Sequence, residues 1–458
     1  MSPAAQPPVP GAGENPAAGS VAASFEFIRS LGQEVRPGAK FDLAQITALL
    51  DAMGRPQQRF VSIHIAGTNG KGSVAAGLES VLRRAGFRTG LYTSPHLERV
   101  TERIRIGGVE ISEPAFAAAV ERVRQTTEEL LQTGSLPHFP SFFEVLTAVG
   151  FVAMAEAGIE IGVIEVGMGG RLDATNVVHP AVAIITPVGR DHEQFLGTTL
   201  AAIAAEKAGI IKPGLQVLIS APQEAEAEAV IRARCHEMGV PLVPVEPESA
   251  TVSRQRDGTY VIAAEYCGVP VRLHAPLRGR HQVVNTLTVL RACEALHRAG
   301  FALPPAALQE GIAATVWPGR LERLAEAPEI FVDGAHNPPA ARALADFLDE
   351  YAQDHPRPIL IYGSMRDKAI DEIAALLFPR AAAVIVTAPQ GHPRAASPAE
   401  LEALGPRYGV DCTQAPDLAA ALEQARRQAG TQTPIFITGS LFLAGEARSL
   451  LAKTTELR

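Results

Sequence analysis

A glycine-rich segment with one lysine stands near residue 70, where a short apolar run gives way to a helical pattern. It reads Ala66-Gly67-Thr68-Asn69-Gly70-Lys71-Gly72-Ser73. Glycines let the backbone curl until several N–H groups point at one anion, the helix N-terminus adds partial positive charge, and Lys71 supplies a full one. In the common phosphate loop a hydroxyl residue follows the lysine directly, whereas here Gly72 intervenes, so Ser73 cannot be assumed to hold a metal ion.

A glycine-rich turn with no ligand is the alternative interpretation of this segment. It is disfavoured because the apolar run, the glycines, the lysine and the helix occur in register. The segment therefore predicts nucleotide binding, although it does not name a reaction.

A second candidate site follows the apolar run that ends near Val166. Glu165 closes a predicted strand, and the glycines after it, in 167–170, allow a ligand to approach the backbone closely. Ligands of parallel sheets bind beyond the carboxyl ends of the strands. A hard oxygen ligand near bound phosphates is what Mg²⁺ requires, so Glu165 is a candidate metal ligand. An acidic residue before a flexible turn, without a metal, is the alternative.

Four further segments are ambiguous when read alone. Ser94 lies in Ser-Pro-His, which is typical of a turn, and His192 is a lone histidine after a predicted strand. Lys207 lies in a helical pattern, where a lysine is normally solvated. The segment 333–338, Asp-Gly-Ala-His-Asn-Pro, is typical of a strand-to-helix turn.

The elements that must position these residues are short apolar strands alternating with helical patterns. This alternation predicts mostly parallel sheets covered on both faces. The predicted strands are Phe60–Ala66, Ile159–Val166, Ala181–Thr186, Val217–Ser220, Ile330–Asp333, Ile359–Gly363, Ala383–Thr387 and Ile435–Thr438. The predicted helices include Ser73–Ala85, Phe142–Ala157, Leu200–Ala208, Gln282–Arg298 and Ala340–Tyr351.

The alternation is interrupted at Trp317-Pro318-Gly319-Arg320, and a new strand-helix series begins at Ile330. We therefore predict an α/β fold with a large N-terminal, mostly parallel-sheet phosphate-loop domain over 21–320. A smaller C-terminal, Rossmann-like α/β domain follows over 321–458. Residues 1–20 are rich in Ala, Pro and Gly, which predicts a disordered tail.

Composition narrows the class of protein. The 458 residues carry a formal net charge of −8, so no global basic field favours nucleic acid or an anionic membrane. The four cysteines stand far apart and predict free thiols, not a disulfide framework or a zinc site. Without a secretory signal or a run long enough to span a bilayer, a cytoplasmic enzyme is expected.

Taken together, the motifs resemble the Mur-type amide ligases, and within them the family of dihydrofolate and folylpolyglutamate synthases. The similarity runs in family order from about residue 25 to the C-terminus. Besides 66–73, 165–176 and 333–338, the matching stretches are Thr93-Ser94-Pro95-His96-Leu97, Ser141-Phe142-Phe143-Glu144, Asp191-His192, Glu206-Lys207-Ala208-Gly209-Ile210, His281-Gln282-Val283-Val284-Asn285, Trp317-Pro318-Gly319-Arg320-Leu321-Glu322 and Thr438-Gly439-Ser440.

The resemblance implies a Mur ligase-like fold and a role for each matched residue. ATP contacts are implied for Asn69, Gly70, Lys71, Gly72, Ser73, Asn285, Arg320 and Asp333. Ligands of two Mg²⁺ ions are implied for Ser94, Glu165, His192 and Lys207, the last carboxylated by CO₂. The pteroate or folate region is implied for Phe142, Phe143, Glu144, Leu172 and Asp173, and the glutamate site for His336 and Ser440. Direct participation in catalysis is implied for Lys71, carboxylated Lys207 and His336.

The implied reaction is ATP-dependent ligation of L-glutamate to dihydropteroate, to the γ-carboxylate of reduced folates, or to both. It proceeds through an acyl phosphate and yields ADP and phosphate. A monomer that binds only small molecules, and no nucleic acid or membrane, is expected. Three alternatives stay open: a monofunctional folylpolyglutamate synthase, a ligase of UDP-sugar peptides, and a regulatory nucleotide switch without ligation.

Overall fold

An eight-stranded sheet carries the glycine-rich segment. The computed structural model describes residues 20–32 and 42–456. The strands of this sheet are β1 (Val61–Ala66), β2 (Thr89–Tyr92), β3 (Ile104–Ile106), β4 (Val109–Glu110), β5 (Ile161–Glu165), β6 (Val182–Ile185), β7 (Val217–Ser220) and β8 (Leu242–Pro244). Their order is β4-β3-β2-β5-β1-β6-β7-β8. Pairing is parallel from β2 to β8 and antiparallel along β2-β3-β4.

Ten helices accompany this sheet in the described part of the chain. They are α1 (Val21–Ser30), α2 (Ala44–Ala52), α3 (Lys71–Arg84), α4 (Glu113–Gln132), α5 (Phe142–Glu156), α6 (Glu193–Leu196), α7 (Leu200–Ala208), α8 (Ala225–Met238), α9 (His281–Arg298) and α10 (Pro305–Ala313). One face of the sheet packs on α3, α9 and α10, and the other on α1, α2, α4, α5, α7 and α8. Because both faces are covered, the central strands are mostly apolar and almost fully buried.

A small antiparallel sheet packs over α9 and α10, and no sequence pattern had predicted it. It consists of β9 (Thr251–Arg254), β10 (Tyr260–Tyr266) and β11 (Val269–Ala275), in the order β11-β10-β9. In β10 and β11 the buried residues alternate with more exposed ones, as Tyr260 and Ile262 do, and β9 has no buried residue. A search for continuous apolar runs therefore passes over them, because one face of this sheet is polar.

A second, six-stranded sheet begins at Glu322. Its strands are β12 (Glu322–Glu326), β13 (Glu329–Val332), β14 (Ile359–Tyr362), β15 (Ala383–Val386), β16 (Cys412–Gln414) and β17 (Ile435–Thr438), in the order β12-β13-β17-β14-β15-β16. All pairs are parallel except β12-β13. Helices α11 (Pro338–Tyr351), α12 (Ile370–Leu377) and α13 (Pro398–Glu402) cover one face, and α14 (Leu418–Ala429) and α15 (Leu441–Glu456) the other.

The predicted α/β fold is confirmed, and every strand predicted from the sequence is present with its ends shifted by two residues at most. Of the predicted tail, 1–19 lie outside the described residues, while Ser20 caps α1 by accepting a 3.1 Å hydrogen bond from the N–H of Ala23. None of the helices in the described part of the chain has both the length and the hydropathy that crossing a membrane requires.

Candidate active site

The carboxyl ends of both sheets face one cavity of about 1130 Å³. Every site residue predicted from the sequence lines this cavity. The first sheet contributes the glycine-rich loop after β1, the loop after β5 and the N-terminus of α5, whereas the second contributes the turn after β13 and the start of α15. Residues that are more than 250 positions apart in the sequence therefore face one another across the same space.

The glycine-rich loop is shaped by close contacts that a side chain would prevent. A Cβ on Gly70, whose φ is +90°, would lie 2.5 Å from Oδ1 of Asn285, and one on Gly72 would lie 2.6 Å from the ring of Trp317. Helix α3 begins at Lys71, and the Nζ of Lys71 donates to the carbonyls of Gly67 and Thr68, both at 3.1 Å. The loop thus presents a lysine and a helix N-terminus to the cavity, as an anion site requires.

Glu165 is a buried carboxylate at the end of β5. It accepts a 3.2 Å hydrogen bond from the backbone N–H of Ser94. Burial raises its pKa to about 7, against the opposing effects of Lys71 and the Ser94 hydrogen bond. A carboxylate held in this way favours a cation beside it.

Lys207 is buried, contrary to the expectation for a lysine on a helix; only 4% of its surface is exposed. Its Nζ donates to the carbonyl of Gly67 at 2.9 Å, so the lysine lies beneath the glycine-rich loop. Burial, and secondarily the charge of Lys71, lowers its pKa to about 7. A substantial fraction of this amine is therefore neutral at physiological pH.

Asp191 is the centre of a cluster that joins the two sheets. Its carboxylate accepts hydrogen bonds from Lys368 Nζ and Asn337 Nδ2, both at 2.9 Å, and lies 3.7 Å from Nε2 of His336 and 3.9 Å from Nε2 of His192. Burial alone would raise the pKa of Asp191, but these neighbours outweigh it and hold the pKa far below its usual range.

Asn337 extends this cluster to the glycine-rich loop. Its side-chain amide exchanges two 3.1 Å hydrogen bonds with the amide of Asn69, and its Oδ1 also caps α11 at Ala340. The other ring nitrogen of His336, Nδ1, lies 2.8 Å from the carbonyl of Gly334. Asn69 and His336 are thus brought to the same junction.

The turn after β13 is fixed by Asp333. Its carboxylate accepts from the backbone N–H groups of Leu321 and Ala335, both at 2.9 Å, and burial raises its pKa although Arg320 opposes the shift. At the end of β17, the Oγ of Ser440 accepts from the N–H of Phe442 at the start of α15. Both residues therefore shape backbone that lines the cavity.

The residues predicted for the pterin-bearing substrate form one wall. Phe142 lies beneath the guanidinium of Arg103 at 5.5 Å, and Phe143 packs against Gly167. The buried carboxylate of Asp173 accepts from Met168 N–H and from Thr175. The carboxylate of Glu144 instead completes a capping box with Ser141, so it also serves the start of α5. Leu172 lines the same wall.

Lys368 is one of the charged cavity residues that sequence reasoning missed, and Asp191 was noticed only as the neighbour of His192. The signal was available for Lys368, because it follows β14 by six residues and so lies on a loop at the carboxyl edge of the second sheet. No motif surrounds Lys368, and a single lysine in a loop does not by itself predict a functional site.

Comparison with known proteins defines the class. A family model described as the Mur ligase middle domain matches residues 65–293, and one described as the Mur ligase glutamate ligase domain matches 319–441. Dihydrofolate synthase/folylpolyglutamate synthase of Mycobacterium tuberculosis is 37% identical over 94% of both chains. Folylpolyglutamate synthase of Lacticaseibacillus casei is 36% identical over 93% of this chain and 97% of its own.

Solved structures agree with the sequence relatives. Folylpolyglutamate synthase of M. tuberculosis, complexed with ADP and AMPPCP, superimposes with a TM-score of 0.85 over 94% of this chain and 99% of its own, at 36% identity. E. coli FolC, in complex with DHPP and ADP, gives a TM-score of 0.80 over 94% of this chain and 98% of its own, at 27% identity.

The fold and the site are thus those of a Mur ligase. Within that class the chain belongs to the dihydrofolate synthase/folylpolyglutamate synthase family. It is an ATP-dependent amide-forming ligase that adds glutamate in folate metabolism.

Proposed function

We propose that the chain ligates L-glutamate both to dihydropteroate and to the γ-carboxylate of reduced folates, with ATP as co-substrate. One observation carries this proposal: a single cavity brings Lys71, the buried carboxylate of Glu165 and the His336–Asp191–Lys368 cluster together. Three anionic reactants need such a convergence of cations and metal ligands.

The proposed substrate sites are distributed over the parts of the chain that carry the two sheets. We assign the ATP phosphates and the pterin-bearing substrate to residues 21–320 and glutamate to 321–458, from which Asp333 also reaches the nucleotide. The division is supported by the second sheet's start at Glu322. Asn69, Gly70, Lys71, Gly72 and Ser73 would hold the phosphates, with Asn285, Arg320 and Asp333 at the rest of the nucleotide. As the resemblance to the family implies, we propose a monomer that works in the cytoplasm.

The chemistry has two steps. A substrate carboxylate oxygen attacks the γ-phosphorus of ATP, and the bond from this phosphorus to the oxygen of the β-phosphate breaks. ADP is the leaving group, and the product is an acyl phosphate. The neutral amine of glutamate then attacks the acyl carbon, and phosphate departs as the amide forms and the amine loses a proton. Lys71 and Arg320 stabilise the negative charge on the transferring phosphoryl group. Closure of the cavity protects the acyl phosphate from water.

Ser94, Glu165 and His192 have the chemistry to hold Mg²⁺. Mg²⁺ is usually bound by one or two carboxylates together with phosphate oxygens and water, so a single carboxylate beside the phosphates of ATP would suit it. The buried carboxylate of Glu165, with its pKa near 7, is the strongest support for this assignment. When bound, Mg²⁺ neutralises charge on the phosphates.

Lys207 is proposed to be carboxylated and to serve a second Mg²⁺. Only a neutral amine reacts with CO₂: its lone pair forms the N–C bond and a proton is lost. A pKa of about 7 provides that neutral amine, and the position beneath the glycine-rich loop would set the resulting anion next to Lys71.

The incoming glutamate is assigned to His336 and Ser440, to which we add Lys368. His336 and Lys368 converge on the carboxylate of Asp191, so this region already recognises one carboxylate. The pterin-bearing substrate is assigned to the wall formed by Phe142, Phe143, Glu144, Leu172 and Asp173, where the aromatic rings offer flat apolar surface.

The test is to incubate the protein with ATP, Mg²⁺ and glutamate, and to compare dihydropteroate, a tetrahydrofolate and a UDP-sugar peptide for product formation. Product from the first two supports the proposal. Product from tetrahydrofolate alone indicates the monofunctional alternative, and product from the UDP-sugar peptide alone overturns the proposal. Phosphate release that needs no acceptor would instead indicate a nucleotide switch.

A further inference from the structure

A second cavity, of about 380 Å³, lies beside the segment 317–320 that precedes the second sheet. Its walls come from residues 93–110, from 317–324 and from α15. It shares only Pro95, Arg320 and Leu441 with the main cavity. Its volume lies in the range of small-molecule sites.

The carboxylates of this second cavity all have partners. Glu98 and Glu322 both accept from the guanidinium of Arg448, and Glu110 pairs with Arg99 at 2.9 Å. Glu102 accepts from the backbone N–H groups of 97–99 at 2.8–3.1 Å. All four carboxylates are thus engaged elsewhere, and one further cation on these walls forms no ion pair with any of them.

Arg105, on β3, is that further cation. Its guanidinium lies over the ring of Trp317, 5.3 Å from the ring centroid. In the part of the chain that the structure describes, it makes no hydrogen bond and no ion pair. Burial lowers its pKa, and Glu102 and Glu110 compensate only in part, but an arginine stays charged. A partly buried charge that has no carboxylate in direct contact is unfavourable, and an anion in the cavity would supply that contact.

We propose that this second cavity binds a small anion, a carboxylate or a phosphate, through the guanidinium of Arg105. The apolar part of the ligand would pack on Trp317, Leu324 and Leu441. A single negative charge suits the cavity best, because four carboxylates line it. Arg105 lies in the first sheet, Leu324 lies in the second sheet, and Leu441 begins α15, which packs on the second sheet, so the ligand would contact both halves of the protein. The proposal does not depend on which substrate the main cavity takes.

Trp317 makes the proposal directly measurable, because it is the single tryptophan of the chain. Benzoate, an aromatic carboxylate, and inorganic phosphate are titrated separately while the fluorescence of Trp317 is recorded. We expect a saturable change with at least one of them. The affinity derived from this change should fall at least tenfold in Arg105→Met. It should be kept in Arg84→Met, because Arg84 is exposed at the end of α3. Arg105→Lys, which keeps the charge, should retain weakened binding.

Inorganic phosphate could also bind the glycine-rich loop, which touches Trp317 through Gly72, so the titrations are repeated in Lys71→Ala. A response that survives Lys71→Ala and is lost in Arg105→Met supports the second site, and the responding probe identifies the anion. A response lost in Lys71→Ala but kept in Arg105→Met would assign it to the main cavity and overturn the proposal. The absence of a saturable response to either anion, in the folded parent protein, would also overturn it.

Discussion

The carboxylate of Asp191 accepts a 2.9 Å hydrogen bond from the Nζ of Lys368, although the two residues are 177 positions apart in the sequence. Both side chains are largely buried, with 11% and 14% of their surface exposed. Asp191 follows β6 of the first sheet and Lys368 follows β14 of the second. This ion pair therefore joins the two halves of the cavity, in the region that we propose for the incoming glutamate.

Replacing Lys368 should weaken the binding of glutamate more than the binding of the nucleotide. A hydrogen bond to a charged group contributes about 1.5–3 kcal/mol, so we expect Lys368→Met to raise KM for glutamate roughly ten- to a hundredfold. ADP affinity should change little. The matched control is Arg366→Gln, because Arg366 is exposed two residues away and pairs with Glu400. A KM for glutamate within twofold of the parent would remove Lys368 from the glutamate site.

Lys71→Ala should abolish ligation while leaving the fold intact. The Nζ of Lys71 contacts only carbonyls of its own loop, so few tertiary contacts are lost. Loss of a charge that stabilises the transferring phosphoryl group should lower turnover at least about a hundredfold. Turnover, ADP affinity and thermal unfolding are measured on the same preparation. Near-normal turnover would contradict the assignment of the phosphate loop.

Glu165 gives the metal-free protein a pH-dependent stability. Its folded pKa, about 7, lies above the ordinary value of 4.5, so between these values the folded state binds more protons than the unfolded state. Stability therefore falls as pH rises through this window. Glu165→Gln is neutral at every pH. We expect its free energy of unfolding to exceed that of the parent by up to about 3 kcal/mol at pH 8, with no gain at pH 4.

With Mg²⁺ and ADP present, the parent should become more stable than Glu165→Gln at pH 8, because only the parent carboxylate can bind the ion. Thermal unfolding at pH 4 and pH 8, with and without Mg²⁺ and ADP, checks both halves of this expectation. Equal stabilisation of the Gln variant by Mg²⁺ and ADP would exclude Glu165 as a metal ligand.

Carboxylation of Lys207 should be visible without an activity assay. With ¹³C-labelled bicarbonate, a carbamate signal is expected in the NMR spectrum, weakening below pH 7 as the amine becomes protonated. The signal should vanish in Lys207→Arg. Lys212 is the matched control, since burial lowers its pKa to about 8 while its Nζ donates to the carbonyls of Asn176 and Val178. A signal that disappears only in Lys212→Arg would contradict the assignment.

The sequence predicted the fold and the lining of the cavity well because strand ends and glycine turns carry local signals. Contacts with Asn285 and Trp317 leave no room for a side chain at positions 70 and 72. The glycine pattern nevertheless predicted the phosphate loop without knowledge of those contacts. Lys207 shows the limit. Its local pattern is that of a solvated helix, and its burial arises from the glycine-rich loop 140 residues earlier.

Long-range pairs such as Asp191–Lys368 could not be predicted for the same reason. Their geometry is set by how the second sheet docks on the first, and no local pattern of residues encodes that docking. The small β9–β11 sheet was missed differently: its alternating burial is a local signal, but one that a search for fully buried strands does not detect.

The most direct test follows the oxygen atoms of the substrate carboxylate. Dihydropteroate labelled with ¹⁸O in that carboxylate is incubated with the protein, ATP, Mg²⁺ and glutamate. If the carboxylate attacks the γ-phosphorus, dihydrofolate should form and each phosphate released should carry one ¹⁸O. Formation of dihydrofolate with unlabelled phosphate would contradict ligation through an acyl phosphate, and absence of dihydrofolate would contradict ligation to dihydropteroate.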